Sequence, residues 1–131
     1  MVILGVDYGL KNIGLAIATS PLAEPLANLR VSSGIHKKLQ KICLNLQVEK
    51  IVIGMSEGKI ANEIHRFATQ LEKGLNIPIV FQDEALTTRH ATQNLSESQT
   101  KKKKRQGPKH SFAASLILQE YLDTLKDGSV I

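Results

Sequence analysis

Acidic residues in this chain stand directly after short apolar stretches, where buried strands are expected to end. Asp7 follows VILGV, and the pair Asp83 and Glu84 follows IVFQ. A single carboxylate in such a place often caps the next turn, which is the simpler interpretation of Asp7 alone. Acids from two strand ends that meet at one site would repel each other unless a cation neutralised them. Together the three acids therefore indicate a metal site.

The expected cofactor follows from the chemistry of these ligands. Carboxylate oxygens favour Mg²⁺ or Mn²⁺. Two such ions can hold the attacking and leaving oxygens of a phosphodiester bond. The residues alone thus favour metal-assisted phosphodiester hydrolysis.

A basic run supplies the second chemical signal. Residues 101–110, KKKKRQGPKH, contain six Lys and Arg and no acid, while the rest of the chain has eleven positive and twelve negative charges. A cationic segment on a near-neutral body suits a polyanion whose phosphates supply most of the affinity. A solvated loop would explain the same run. The predicted nucleic-acid contacts in the run are Lys101, Lys102, Lys103, Lys104, Arg105 and Lys109.

Hydrophobic periodicity predicts the elements that position these residues. VILGVD and Ile13 to Thr19 should form a β-hairpin, followed by an extended segment near Leu26 to Val31. Two amphipathic helices then alternate with the short strands KIVIG and IVFQ, and a last helix starts near His110. This order predicts an α/β fold with a mixed sheet, flanked by helices. Ligands collect at the carboxyl ends of parallel strands, so the acids, the basic run and His110 are expected at one edge.

Length and composition exclude several classes of protein. The 131 residues predict one domain, 1–131, which is too short for two lobes closing on a ligand. No apolar run is long enough for a membrane span, and Asp7 interrupts the N-terminal apolar stretch, so we expect a cytoplasmic protein without a membrane partner. With 4% aromatic residues and no Trp, no stacking platform for bases is expected. Recognition should then depend on phosphates.

Four segments together resemble a known family. GVDYGLKNIGLAIA, KIVIGMSEG, DEALTT and KHSFAASLILQEYLD occur in the order and spacing of the YqgF/RuvX family, and the resemblance covers nearly the whole chain. These proteins are described as pre-16S ribosomal RNA nucleases and Holliday-junction resolvase-like enzymes. The resemblance implies a ribonuclease H-like fold with a five-stranded sheet of order 3-2-1-4-5. It also implies an acidic metal site at the ends of strands 1 and 4 and the start of the last helix.

The resemblance assigns roles to individual acids. The family's first-strand aspartate falls on Asp7, and its DER-L-T motif begins at Asp83. Glu84 is the first choice for the second metal ligand and Asp83 the second, because successive strand residues point to opposite sides. Ala85 stands where the family usually has an arginine, and Arg89 is the candidate to supply that cation to the nucleic acid.

The last helix departs from the family pattern. Its V-D-x-x-A-A motif corresponds to residues 109–114, KHSFAA, so that His110 replaces the aspartate. An imidazole can still bind a metal ion and would favour Mn²⁺ over Mg²⁺. It could instead transfer a proton near neutral pH. A third possibility is that His110 only begins the helix and that one metal position is lost.

Three glycines are candidate phosphate contacts. Gly9 completes the family's DYG signature, while Gly54 and Gly58 flank the compact segment that replaces a longer G-x-P-x-x-x-x-G connection. Backbone N–H groups at the start of the helix after Gly58 could bind a phosphate. A tight strand-to-helix turn would explain these two glycines equally well.

Two functions stay open at this point. The first is a metal-dependent nuclease with Asp7, Glu84 and His110 at the metal site and either precursor ribosomal RNA or branched DNA as substrate. The second is a catalytically silent nucleic-acid-binding or ribosome-assembly module, motivated by the missing third acid. A phosphate loop of the two-domain ATPases also resembles D-x-G-x-x-x-x-G at residues 7–14, but one domain cannot close around ATP. Symmetric cleavage of a junction would favour a homodimer, whereas RNA trimming suits a monomer.

Overall fold

The computed structural model describes residues 1–56, 58–83 and 109–125. Three antiparallel strands begin the fold: β1 (Ile3–Tyr8), β2 (Asn12–Ala18) and β3 (Glu24–Arg30). β1 and β2 pair from Ile3–Ala18 to Tyr8–Ile13, which confirms the predicted hairpin. The third strand begins at Glu24, earlier than its apolar residues predicted. Its start is set by backbone pairing of Glu24 with Ile17 rather than by burial, because most of β3 is exposed.

The second half of the sheet is parallel. Its elements are α1 (Ile35–Leu46), β4 (Lys50–Met55), α2 (Lys59–Lys73), β5 (Ile79–Asp83) and α3 (Lys109–Thr124). β4 lies parallel to β1, and β5 lies parallel to β4. The strand order is β3-β2-β1-β4-β5, so the expected five-stranded mixed sheet of order 3-2-1-4-5 is confirmed.

The helices divide the sheet into two faces. α1 and α2 cover the first face, and α3 lies on the second, mainly against β1 and β2. Side chains alternate along each strand, so that Leu4 and Val6 of β1 face the first pair of helices while Ile3 faces α3. The buried core on the α1/α2 face consists of Leu4, Val6, Ile13, Leu15, Ile35, Leu39, Cys43, Val48, Ile51, Ile53, Ile64, Phe67, Ala68 and Leu71.

Local backbone geometry fixes where the first two helices begin and end. α1 ends at Gln47 in the left-handed conformation, where its backbone N–H donates to carbonyl oxygens of the last turn. Gly58 precedes α2 with φ 90°, a conformation that favours glycine. Within the described parts of the chain, no helix combines the length and apolar character that a bilayer span needs.

Candidate active site

Asp7 lies near the carboxyl end of β1, the central strand of the sheet. It pairs with Gly14 of β2 and is buried, with 6% of its surface exposed. Alternation along β1 places it on the α3 face together with Ile3 and Gly5. A carboxylate in the middle of a sheet loses most of its hydration, so it requires polar or cationic partners at this edge.

His110, in the first turn of α3, supplies one such partner. Its Nδ1 atom lies 3.1 Å from Oδ2 of Asp7, and its side chain is 35% exposed, against 8% for that of Asp7. When the Asp7 carboxylate is ionised it only accepts hydrogen bonds, and Nδ1 of His110 is then the donor. In the neutral ring the lone pair then resides on Nε2. The structure thus brings together two residues that are 103 positions apart.

Glycines in β1 and β2 allow α3 to approach this closely. A Cβ atom on Gly14 would overlap the backbone of His110 and Ser111, and one on Gly5 would lie 2.8 Å from Cβ of Leu118. At Gly9 it would lie 2.6 Å from the Asn12 carbonyl oxygen. Sequence reasoning missed Gly5 and Gly14. The available signal was the row of small residues at alternate strand positions, Gly5 in β1 and Gly14, Ala16 and Ala18 in β2.

Asp83 does not join Asp7 at this site. It is the last residue of β5, is exposed, and pairs with Met55. Phe81, two residues earlier, contacts the ring of His65 on α2, with 5.1 Å between ring centroids. Alternation therefore places Asp83 on the α2 face, opposite Asp7. It ends β5, whereas the family resemblance implied an acid at the end of strand 4. Glu84 lies outside the described residues.

The predicted phosphate and nucleic-acid contacts are distributed as follows. Gly54 is buried in β4, where it pairs with Gln82, and Gly58 begins α2. Lys109 is the first residue of α3, directly before His110. The phosphate-binding roles of the glycines remain predictions. Arg89, Lys101, Lys102, Lys103, Lys104 and Arg105 lie outside the described residues.

The donors at this edge fit part of a metal site. Asp7 offers carboxylate oxygen and His110 imidazole nitrogen, a mixed set that suits Mn²⁺ and other borderline ions better than Mg²⁺. Within residues 1–56, 58–83 and 109–125, no group of three or more His, Cys, Asp or Glu side chains could hold an ion. Asp7 and His110 thus supply part of a coordination sphere, which other residues, water or substrate oxygens would complete.

Comparison with known proteins is consistent with this geometry. A protein of Syntrophus aciditrophicus named "Putative pre-16S rRNA nuclease" is 39% identical over 99% of this chain and 93% of its own. Thermus thermophilus RuvC in complex with a Holliday junction substrate superposes with a TM-score of 0.65 at 16% identity, covering 97% of this chain and 96% of that one. The fowlpox virus Holliday junction resolvase has a TM-score of 0.58 at 16% identity, covering 95% and 99%.

These two structural neighbours share the fold, as the ribonuclease H-like prediction required. The profile of the RuvX family, described as Holliday junction resolvase, matches residues 1–124. The chain belongs to the RuvX family.

Proposed function

We propose that this protein is a metal-dependent nuclease that hydrolyses phosphodiester bonds. The observation that carries the proposal is the buried Asp7 carboxylate, held against His110 at the carboxyl edge of the central strand. The fold shared with the two resolvases supports the same conclusion. Membership of the RuvX family also supports a nuclease function.

Asp7 and Glu84 are the proposed carboxylate ligands of a divalent ion, Mn²⁺ or Mg²⁺. Alternation along β5 places Asp83 on the α2 face, away from Asp7, which favours Glu84 over Asp83 as the second ligand. Such an ion, when bound, would supply Lewis-acid activation of water and of the phosphate. The role of Asp7 itself is to present a fixed carboxylate that water cannot easily displace.

His110 has two chemically distinct roles open to it. With Nδ1 donating to Asp7, it can coordinate the ion only through Nε2, an arrangement in which a carboxylate fixes the orientation of a ligating imidazole. Alternatively, Nε2 accepts or delivers a proton during hydrolysis, with Asp7 holding the ring. Both roles need the 3.1 Å contact, and they differ in metal preference and pH dependence.

The proposed substrate is a nucleic acid held through its phosphates. Lys109, the basic segment 101–105 and Arg89 are the proposed contacts to the nucleic-acid backbone. The name of the Syntrophus relative favours precursor 16S ribosomal RNA, for which we propose 5′-end maturation, and the names of the resolvases favour a Holliday junction as the second choice. We place this activity in the cytoplasm, in a monomer or a homodimer.

A second candidate function is a silent nucleic-acid-binding or ribosome-assembly module. The observation in its favour is that His110 occupies the position of the family's third acid, so that the described residues offer only one carboxylate beside the imidazole. Such a protein would keep the fold and the basic segment without hydrolysing its ligand.

One experiment separates the two functions. Labelled precursor 16S RNA and a four-way DNA junction are incubated with wild type or Asp7→Asn, with Mg²⁺ or Mn²⁺, and cleavage and binding are measured together. We expect cleavage of one substrate by wild type and at least a roughly 100-fold loss in Asp7→Asn. Asp123→Asn, on the exposed last turn of α3, is the matched control and should cleave normally. Salt-sensitive binding without any cleavage would establish the silent module.

Two further variants assign the roles. Glu84→Gln should lose activity as Asp7→Asn does, whereas Asp83→Asn should retain most of it. His110→Asp restores the family's acid and should raise activity with Mg²⁺ relative to Mn²⁺, because oxygen ligands favour the harder ion. An unchanged metal preference would favour proton transfer over metal coordination for His110.

A further inference from the structure

A pocket lies on the opposite face of the sheet from Asp7, at the same edge. Its volume is about 300 Å³, and it is formed where the end of β1 meets the first turn of α1 and the middle of α2. Tyr8, which directly follows Asp7, forms one wall. The pocket is therefore separated from the candidate active site only by the thickness of the sheet.

Aromatic rings cluster along this pocket. The ring centroids of Tyr8 and Phe67 are 4.8 Å apart, and those of His36 and Phe67 are 5.3 Å apart. Composition predicted no stacking platform, since the chain has only five Phe and Tyr residues. The fold nevertheless brings two of these five together with an imidazole. Phe67 is buried, so Tyr8 and His36 are the rings with surface left for a ligand.

Polar groups complete the lining. Nη1 of Arg66 lies 3.3 Å from Oε1 of Glu63, and Gln70 is one helical turn further along α2. Because Glu63 offsets the charge of Arg66, the pocket suits an uncharged ligand better than a bare anion. The Nε2 atom of His36 is buried and has no hydrogen-bond partner among the residues that the structure describes. A ligand in the pocket would therefore meet the exposed part of the His36 ring rather than Nε2.

The Tyr8 hydroxyl can also contribute a hydrogen bond. A phenol hydroxyl both donates and accepts hydrogen bonds, so it can pair with either kind of polar group on a ligand. Donors and acceptors around two ring surfaces are the features that recognise a planar heteroaromatic ligand.

We propose that this pocket binds an unstacked nucleobase of the substrate strand. Consecutive strand residues point to opposite faces, so Asp7 faces the scissile phosphate while Tyr8 faces the base of a nearby nucleotide. The use of the pocket in this way rests on the proposed nuclease function. Base binding in this pocket would add a preference for unpaired nucleotides near the cleavage site, which phosphate contacts alone do not provide.

The test uses free nucleosides, which require neither metal nor cleavage. Adenosine and uridine are titrated into the full chain, and the ring resonances of the histidines are followed by NMR. We expect saturable shifts of His36 with dissociation constants of roughly 0.1 to 10 mM, a range typical of small fragments. Ribose, which has no base, should produce no such shift. His65 is the internal control, because it contacts Phe81 on the same face but lies outside the pocket.

Variants make the assignment specific. His36→Leu should weaken nucleoside binding about fivefold or more, the lower end of the effect of one lost stacking partner, whereas His65→Leu should not. Arg66→Gln, at an exposed position that leaves the core intact, should weaken it about threefold. Shifts of His36 and His65 that are equal, or equal with ribose and adenosine, would overturn the proposal.

Failure of this proposal is distinguishable from failure of the nuclease function. A protein that cleaves RNA or the junction but shows no nucleoside-dependent shift at His36 lacks the base pocket and keeps its activity. A protein that cleaves neither substrate but gives the His36 shifts keeps the pocket as a base-binding site.

Discussion

The two faces of the sheet are built from residues of different size. The α1/α2 face buries large aliphatic side chains such as Leu71 and Ile53, whereas α3 packs on small residues such as Gly5, Gly14 and Ala16. Stabilisation grows with the apolar area that is buried, while the placement of a side chain depends on how closely two backbones fit. One face thus supplies most of the stability, and the other fixes His110 against Asp7.

The largest expected effect comes from removing a buried leucine on each face. Leu71→Ala and Leu118→Ala both truncate fully buried side chains, so each should lower the free energy of unfolding by about 2 to 5 kcal/mol. Only Leu118→Ala should also reduce cleavage by the folded protein, because Leu118 lies on the helix that carries His110. Urea unfolding and turnover measured well below the transition would check this. Equal losses of activity in both variants would contradict the different roles assigned to the two faces of the sheet.

Gly14→Ala tests the fit of α3 directly. The new methyl group would overlap the backbone of His110 and Ser111, so the helix must shift. We expect a loss of about 1 to 3 kcal/mol in stability and a fall in cleavage of about 10-fold or more. Gly34→Ala is the matched control, because a Cβ there meets nothing within 4 Å. Normal cleavage by Gly14→Ala would show that the position of α3 tolerates more variation than the structure indicates.

Burial of Cys43 in the α1/α2 face should make the free energy of unfolding depend on pH in the alkaline range. Burial raises the pKa of the Cys43 thiol to about 11, so the folded protein resists forming the thiolate that the unfolded chain forms near pH 9. Stability should therefore fall as the pH rises from about 9 to 11, by about 2 kcal/mol from this group. Denaturant unfolding of wild type and Cys43→Ala over this range would isolate the contribution. Parallel curves for the two proteins would contradict it.

The smallest effect is expected from a polar contact on the α3 face. Nζ of Lys50 donates to the Tyr121 hydroxyl over 2.8 Å and lies 5.5 Å from the centre of its ring. Tyr121→Phe removes the hydroxyl and keeps the ring, so we expect a loss of about 0.5 to 1.5 kcal/mol without loss of cleavage. A double-mutant cycle with Lys50→Met would measure the coupling. A value near zero would show that this contact does not help to hold α3.

The sheet was predictable from the sequence because its signals are local. Apolar runs located β1, β4 and β5, and the hairpin and the amphipathic helices followed from spacing within each segment. The start of β3 at Glu24 was not predictable in this way, since backbone pairing with β2 determines it. Local alternation also explains why Asp83 faces away from Asp7, and Asp83 ends β5 rather than the strand 4 that the resemblance implied.

Only part of the candidate site could be predicted from local sequence signals. Asp7 and His110 could be named from their types and positions, but their 3.1 Å contact depends on the closeness of α3, which Gly5 and Gly14 permit. The ring cluster around Phe67 was missed because composition counts aromatic residues without locating them. Both features arise from contacts between segments far apart in the chain.

The separation of Asp7 and His110 has a consequence for the order of folding. The strands β1 and β2 form from neighbouring residues, whereas the acid–imidazole pair closes a loop of 103 residues. During synthesis the chain emerges from its N-terminus, so every strand can be complete before α3 exists. We therefore expect a growing chain to carry Asp7 without its partner until the last helix docks. Catalytic competence then requires a nascent chain long enough to include α3.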